Sequence, residues 1–306
     1  MSPAPSNLSD IFESHVKDPL SLHNEDFLKN VMFKHSGTGE VVVQKGSKER
    51  ENKAAVLKIV GRVSNNDCFL SPFATWTQRT GRDFTSIEHS FSLDEPSHCV
   101  PFKTAHWKAA IKRLKTLLYL ESNPDFRRQG VLLEGGHERD RIQLKHPTFS
   151  PKDPDATEDS DSDSGLPDVF TWAGWPVDGE AKDALDELHN KGTHDLIPLP
   201  AYDMDAELIS PAQYKDVLMN AIVEAHFVLE HWRFAGEKKD VFKASIVKVY
   251  ALTPPFKYTV ESPIKGSARR RIGKSDPDSP TKRRRIATSE ADGENSGSQT
   301  SPTTRS

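Results

Sequence analysis

Two runs in the first half of the chain have the hydrophobic pattern of paired strands. Ala54 to Val63 is an apolar, β-branched run that ends at Ser64-Asn65-Asn66-Asp67, which predicts a strand followed by a turn. Within residues 84–93 the side chains on one side of the alternation are Ile87, His89, Phe91 and Leu93. The alternation is imperfect but predicts a second strand, able to pair with the first.

A helical period replaces the strand period after Pro101. Apolar residues recur at helical spacing, with Thr104 placed to cap the helix; they are Trp107, Ile111, Leu114, Leu117 and Leu118. The opposite face carries the basic residues Lys108, Lys112, Arg113 and Lys115. This basic face is the candidate nucleic-acid contact, although such residues also keep an ordinary surface helix soluble.

The second half of the chain predicts a short helix and a β-hairpin. Ser210-Pro211-Ala212-Gln213 has the pattern of a capping box and begins the helix. The residues after Asn220 fit both a helical stripe and one face of a strand. We favour a helix to about Asn220, a strand over residues 221–234, and a second strand over residues 241–252. The predicted inner face of that second strand is Phe242, Ala244, Ile246, Tyr250 and Leu252.

These patterns predict an α+β protein made of small β-rich units with one or two packed helices. A barrel of the OB type is a candidate architecture for such units. The acidic segment 150–167 offers little to bury and predicts a disordered linker. The predicted order is a partly disordered N-terminus (1–27), an α+β domain (28–149), the linker (150–167), an acidic α+β domain with a C-terminal hairpin (168–257) and a disordered basic tail (258–306).

Composition narrows the class of protein. The 306 residues are 35% hydrophobic and contain two cysteines, Cys68 and Cys99, neither of them in a CxxC pair. A disulfide framework and a thiolate zinc site are therefore not expected. Met1 to Asp10 is polar, and no run of eighteen apolar residues occurs, so secretion and membrane association are not expected either.

Charge is segregated along the chain although its overall net charge is only −4. Residues 1–150 carry a net charge of +3, residues 151–260 carry −11, and residues 261–306 carry +4. A segment at −11 repels phosphates, so we expect any nucleic-acid contact to involve the first part of the chain or the tail.

The basic tail has a two-part pattern. Its clusters are Arg269-Arg270-Arg271 and Lys282-Arg283-Arg284-Arg285, separated by ten residues that include Gly273, Pro277 and Pro280. This arrangement resembles a bipartite nuclear localisation signal, which implies an import receptor as partner and the nucleus as location. Candidate phosphorylation sites are Ser262 and Ser279, which precede prolines near the basic clusters, and Ser160 and Ser162, which lie among acidic residues.

Residues 197–255 also resemble known sequences. The carrying residues are Leu199 to Asp203, Leu208-Ile209, Tyr214, Ala221 to Glu224, Phe227, His231-Trp232 and the run Asp240 to Leu252 before Pro254-Pro255. They resemble a group of uncharacterised proteins from mushroom-forming (basidiomycete) fungi. The resemblance implies a lineage and a fold element, and the strand assignment after Asn220 rests partly on it.

Sequence motifs of catalysis and cofactor binding are absent. Ser36-Gly37-Thr38-Gly39 and Gly135-Gly136 lack the remainder of a nucleotide-binding loop, and no GxSxG occurs. Asp203, Asp205 and Glu207 are more typical of a solvated loop than of a cation site. We therefore expect no enzyme activity, no cofactor and no metal, and His226 and His231 are not expected to share an ion.

Three functional hypotheses remain from the sequence. The first is a nuclear, non-enzymatic binding protein that contacts single-stranded nucleic acid or chromatin through residues 28–149. Its loop aromatics Phe69, Phe73 and Trp76 could stack on bases, or they could be buried in the core. The second is an adaptor whose acidic linker and acidic second domain bind basic nuclear proteins. The third is an enzyme whose site is assembled from dispersed residues.

Overall fold

The computed structural model describes residues 7–256 except residues 47, 52, 75, 97–98, 135–139 and 153–164. Its strands are β1 (Val31–Ser36), β2 (Gly39–Gln44), β3 (Leu57–Val63), β4 (Glu88–Asp94), β5 (Arg127–Gly130), β6 (Leu132–Leu133), β7 (Arg141–Pro147), β8 (Phe149–Pro151), β9 (His194–Leu196), β10 (Ala201–Tyr202), β11 (Ile222–Phe234) and β12 (Lys239–Ala251). Its α-helices are α1 (Leu8–Lys17), α2 (Phe27–Asn30), α3 (Lys48–Glu51), α4 (Thr104–Glu121), α5 (Gly179–Lys191) and α6 (Tyr214–Leu218).

Five of these strands close into a barrel. Hydrogen-bonded neighbours run in the order β3, β4, β7, β12, β11 and back to β3. Every pairing is antiparallel except that of β7 with β12, which is parallel. With the five strands numbered along the chain, the order is 1-2-3-5-4-1, the arrangement of an OB barrel. The predicted α+β class is therefore confirmed.

The barrel core joins the two regions that the sequence predicts as separate domains. Leu57 and Phe91 from the first region lie in one buried cluster with Phe227 and Phe242 from the second. The predicted domains 28–149 and 168–257 therefore share one hydrophobic core, and the prediction of two separate domains is wrong in this respect. The physical reason is that β3 and β7 of the first region have edges that pair with β11 and β12 of the second, and closure removes those edges.

The long hairpin of β11 and β12 follows the prediction of a strand after Asn220. α6 ends at Leu218 and β11 begins at Ile222, where alternate residues are buried. A β-bulge between His226 and Phe227 shifts the pairing register with β12. Tyr250 therefore lies on the outer face, stacked on Tyr202 at 5.1 Å between ring centroids, which corrects the predicted inner face.

Helix α4 buries the predicted stripe. All five stripe residues are buried, and a Cβ on Gly61 of β3 would lie only 3.0 Å from the Trp107 ring. The N-cap is Lys103 rather than Thr104, whose hydroxyl donates to Glu95. The Ser210 side chain likewise makes no capping hydrogen bond, so the predicted capping box does not form there.

Two segments that the sequence predicts as disordered contain secondary structure at one of their ends. Residues 8–17 form α1, whose Leu8 and Phe12 pack against buried Phe102, and Phe27 is fully buried. At the other end of the first region, Ser150 and Pro151 belong to β8, which pairs with β9. The predicted linker therefore starts later than residue 150. No described helix is long and apolar enough to cross a membrane.

Candidate nucleic-acid interface

The outer face of β4 and β7 is polar, and its partly exposed residues lie mainly on β7, because Ser90 and Ser92 of β4 are buried. In β7, buried Ile142 and Leu144 alternate with the outward residues Arg141, Gln143 and Lys145. β4 and β7 are the second and third strands of the barrel, and this face, with the loops after the first and fourth strands, is where OB barrels bind oligonucleotides. It is therefore the first surface to consider as a binding site.

A depression of about 350 Å³ lies where the loop after β3 crosses β4. Its lining includes Phe69, Trp76, Arg82, Gln143 and Lys145. Phe69 exchanges two backbone hydrogen bonds with Ser90 of β4, at 2.7 and 3.1 Å, and its ring is 38% exposed. The Trp76 indole donates to the Arg82 carbonyl at 2.9 Å, which ties the loop together beside the exposed Arg82 side chain.

A second depression of about 760 Å³ adjoins the first at Gln143. Arg141 and the exposed Arg127 and Arg128 of β5 line it. β5 reaches this place by parallel pairing with β12. Gly130 makes that approach possible, because it has φ +105° and a Cβ there would lie 1.9 Å from the Phe242 carbonyl oxygen.

Two further depressions, of about 270 and 300 Å³, continue the same surface onto α4. The first contains Tyr119, 61% exposed, with the Arg128 guanidinium 5.5 Å from its ring centroid. The second contains Lys108 and Lys112, and Lys115 lines both. We call the four joined depressions the surface track. Eight cations line it against four carboxylates; the cations are Arg82, Lys108, Lys112, Lys115, Arg127, Arg128, Arg141 and Lys145.

Carboxylates of the surface track pair with several of its cations. Glu88 pairs with Lys145 at 3.3 Å and with Lys243, and Asp67 pairs with Arg141 at 2.8 Å. Burial alone would raise the pKa of Glu88, but hydrogen bonding and charge from Lys243 and Lys145 hold it below its usual range. Glu88 is therefore ionised at neutral pH and positions two lysines on the barrel face.

The predicted contact residues of α4 divide between two places. Lys108, Lys112 and Lys115 lie at one end of the surface track, and Lys115 also pairs with Asp140 at 2.7 Å. Arg113 does not line the track, because its guanidinium donates to the Leu22 carbonyl at 3.1 Å. Whether the lysines contact nucleic acid stays a prediction.

The polar residues of β7 at the centre of the surface track were not predicted from the sequence. Arg141, Gln143 and Lys145 alternate with Ile142 and Leu144, a period-two pattern that would have placed these polar groups on one strand face. Of the predicted loop aromatics, Phe69 and Trp76 line the track, and Trp76 also packs edge-to-face on Phe84 at 4.9 Å. Phe73 is partly buried and does not line it.

The remaining predicted sites lie outside the described residues or in ordinary turns and loops. The basic clusters at 269–271 and 282–285, Gly135-Gly136 and the serines 160, 162, 262 and 279 lie outside the described residues. Gly37 is part of the turn of the β1–β2 hairpin. The Asp203 carboxylate accepts backbone hydrogen bonds from Asp205 and Glu207, both at 2.9 Å, and so orders its own loop.

Comparison with known proteins gives distant structural likenesses. No family model and no curated protein matches the chain. Among solved structures, gp2.5, the single-stranded DNA-binding protein encoded by bacteriophage T7, is similar over 67% of this chain and 96% of its own, with 9% identity and a TM-score of 0.36. The single-stranded DNA-binding protein of bacteriophage Enc34 is similar over 76% of this chain and 94% of its own, with 9% identity and a TM-score of 0.35. Identity and TM-score are low, so the fold assignment rests on the strand pairing of this chain.

Proposed function

We propose that this chain is a non-enzymatic protein that binds single-stranded nucleic acid along the surface track. The observation that carries the proposal is that aromatic rings and cations line adjoining depressions across the barrel face. Phe69 and Trp76 lie beside Arg82 at one end, and Tyr119 lies under Arg128 towards the other. Rings stack on unpaired bases while cations follow the phosphate backbone.

The arrangement favours a single strand over a duplex. Base faces are hidden inside a duplex, so the Phe69 and Tyr119 rings can stack only on bases that are unpaired. The cations alone would bind either form through phosphates. A preference for single strands would therefore depend on the rings, and the salt dependence of binding would depend on the cations.

Binding as a function of salt tests the proposal. The full chain is titrated into a fluorescent oligonucleotide of about 12 thymidines, a length within the usual range for one OB fold, and anisotropy gives Kd. Arg82→Gln and Arg128→Gln should each lower the slope of log K against log salt by about 0.7, the value for one phosphate contact on a single strand. Lys17→Gln is the control, because Lys17 is 78% exposed and does not line the track. Unchanged slopes in both arginine variants would contradict the proposal.

We also propose that the tail carries the chain into the nucleus. Seven basic side chains in two clusters fit an acidic receptor groove, and the clusters are Arg269-Arg270-Arg271 and Lys282-Arg283-Arg284-Arg285. A full-length fluorescent fusion should be nuclear, and replacement of all seven by Gln should leave it in the cytoplasm. The same seven-residue variant should retain oligonucleotide binding, since the surface track is intact. Loss of binding would place the nucleic-acid site in the tail.

One acidic depression favours the adaptor hypothesis as a second candidate. It has a volume of about 330 Å³ and lies beside Trp76, with Asp83, Glu180, Asp183 and Glu187 in its lining. Such a surface attracts Lys- and Arg-rich segments. The adaptor hypothesis predicts that a basic peptide binds the chain and that Asp183→Asn with Glu187→Gln weakens it. Equal binding by this double variant would remove that candidate.

A further inference from the structure

Three potential metal ligands meet where β2, the end of α4 and β11 come together. They are Glu40, Glu121 and His231, and one donor atom from each lies within 4.8 Å of the other two. The cluster is separate from the outer face of β4 and β7. It contains one imidazole and two carboxylates, which is a donor set used by protein metal sites.

The register of the sheet positions Glu40 against His231. The two residues are partners in the β2–β11 pairing, and Glu40 Oε2 lies 2.7 Å from His231 Nδ1. Gly39 allows this close approach, because a Cβ there would lie 2.7 Å from the His231 carbonyl oxygen. The Glu121 side chain reaches the same point and contacts the Glu40 carboxylate.

Phe242 and Asp240 fix the orientation of the His231 ring. The residue is 1% exposed, and its ring stacks on Phe242 with centroids 4.4 Å apart. Its Nε2 lies 3.0 Å from Oδ1 of fully buried Asp240, which also accepts from the Asn123 amide at 2.7 Å and from Arg233 Nε at 3.1 Å. When the neutral ring donates Nε2–H to Asp240, Nδ1 is the nitrogen that faces Glu40 and can bind a metal, and carboxylates commonly orient metal-binding histidines in this way.

Nδ1 of His231 and the carboxylates of Glu40 and Glu121 therefore converge on one point. At 2.7 Å a proton lies between Nδ1 and Glu40 in the metal-free chain, and a metal ion would displace it, because a metal-ligating imidazole nitrogen carries no proton. Acidic side chains outnumber basic ones here: Glu40, Glu121 and Asp240 surround His231, and Arg233 contacts Asp240.

We propose that Glu40, Glu121 and His231 bind a divalent transition-metal ion, with Zn²⁺ as the ion that best fits one imidazole nitrogen and two carboxylate oxygens. Water completes the coordination. The ion joins the β1–β2 hairpin, the end of α4 and the β11–β12 hairpin, three elements distant in sequence. Its role is structural, and it would hold the end of α4 beside Arg128 and Tyr119.

Calorimetric titration of the tag-free full chain with Zn²⁺ tests the site, with Mg²⁺ as a hard-cation comparison. The expected result is one Zn²⁺ per chain, no measurable Mg²⁺ binding, and a melting temperature raised by about 5 °C at Zn²⁺ a hundredfold above Kd. Glu121→Gln should weaken Zn²⁺ binding at least about tenfold. Its metal-free melting temperature should be unchanged or higher, because one of two facing carboxylates becomes neutral.

The matched control is Glu224→Gln, which alters another carboxylate that contacts histidines. Glu224 lies 3.5 Å from His15 and 2.7 Å from His226, on a different part of β11. Its loss should leave Zn²⁺ binding unchanged. The proposal is overturned if the wild-type chain binds no stoichiometric Zn²⁺, if Glu121→Gln binds it normally, or if Glu224→Gln abolishes binding. None of these results depends on whether the chain binds nucleic acid.

Discussion

Replacement of Phe69 by alanine removes an aromatic ring from the surface track and keeps the backbone contacts of its loop. The Phe69 ring is 38% exposed, and both hydrogen bonds to Ser90 are made by the backbone, so alanine preserves them. Stacking of one base on an aromatic ring contributes about 1–3 kcal/mol. At about 1.4 kcal/mol for each factor of ten, Kd for a single-stranded oligonucleotide should rise about 5- to 150-fold.

Fluorescence anisotropy at about 50 mM salt measures this loss directly, and its salt dependence identifies the cause. The slope of log K against log salt should be the same as in the wild-type chain, because no phosphate contact is removed. Phe256→Ala is the matched control: Phe256 is also 38% exposed but does not line the track. If Kd for Phe69→Ala stays within about twofold of wild type, or if Phe256→Ala weakens binding equally, base stacking on Phe69 is refuted.

Three further predictions concern stability. Burial lowers the pKa of His89 to about 3, below the unfolded value of about 6.5, so its contribution to stability is complete above pH 6.5 and is lost as pH falls. The loss is about 1 kcal/mol at pH 5.5, and the acid limb of a urea-denaturation series should flatten in His89→Gln; an unchanged limb contradicts this. Gly130→Ala should cost at least about 2 kcal/mol in the same assay because its Cβ meets the Phe242 carbonyl, and wild-type stability would exclude the clash. Tyr214→Phe should lower stability by about 1 kcal/mol, since the buried hydroxyl donates to the Leu199 carbonyl at 3.1 Å; a stabilised variant would show that the bond contributes nothing.

Local periodicity was sufficient to predict four parts of the fold. β3, β4, the buried face of α4 and the β11–β12 hairpin all repeat apolar residues at the spacing of their own secondary structure. The exact inner face of β12 was not predictable in this way, because the bulge beside Phe227 changes the alternation within the strand.

Barrel closure depends on pairings that no local pattern records. The β3–β11 pair joins residues near Leu57 to residues near Phe227, across the acidic segment that suggested a domain boundary. A charged, apolar-poor stretch predicts a surface connection, but it does not say whether the strands on its two sides share a sheet. The prediction of two domains failed for that reason.

The surface track and the histidine cluster could be predicted from the sequence only in part. The α4 lysines could be found because helical spacing places them together, whereas Arg113 of the same face turned out to contact the Leu22 carbonyl. Glu40, Glu121 and His231 come from three distant elements: the β2–β11 register pairs Glu40 with His231, and the position of α4 adds Glu121. Spacing along the chain contains no signal for such a group.

The most direct test of the central claim is to identify which peptides a bound single strand touches. A photoreactive oligonucleotide of about 12 thymidines is cross-linked to the full chain, and the adducts are mapped by mass spectrometry. Binding along the surface track predicts adducts on peptides containing Phe69, Trp76, Tyr119 and residues 127–133. Cross-links confined to residues 258–306, or found on α5 but not on the barrel face, would contradict it.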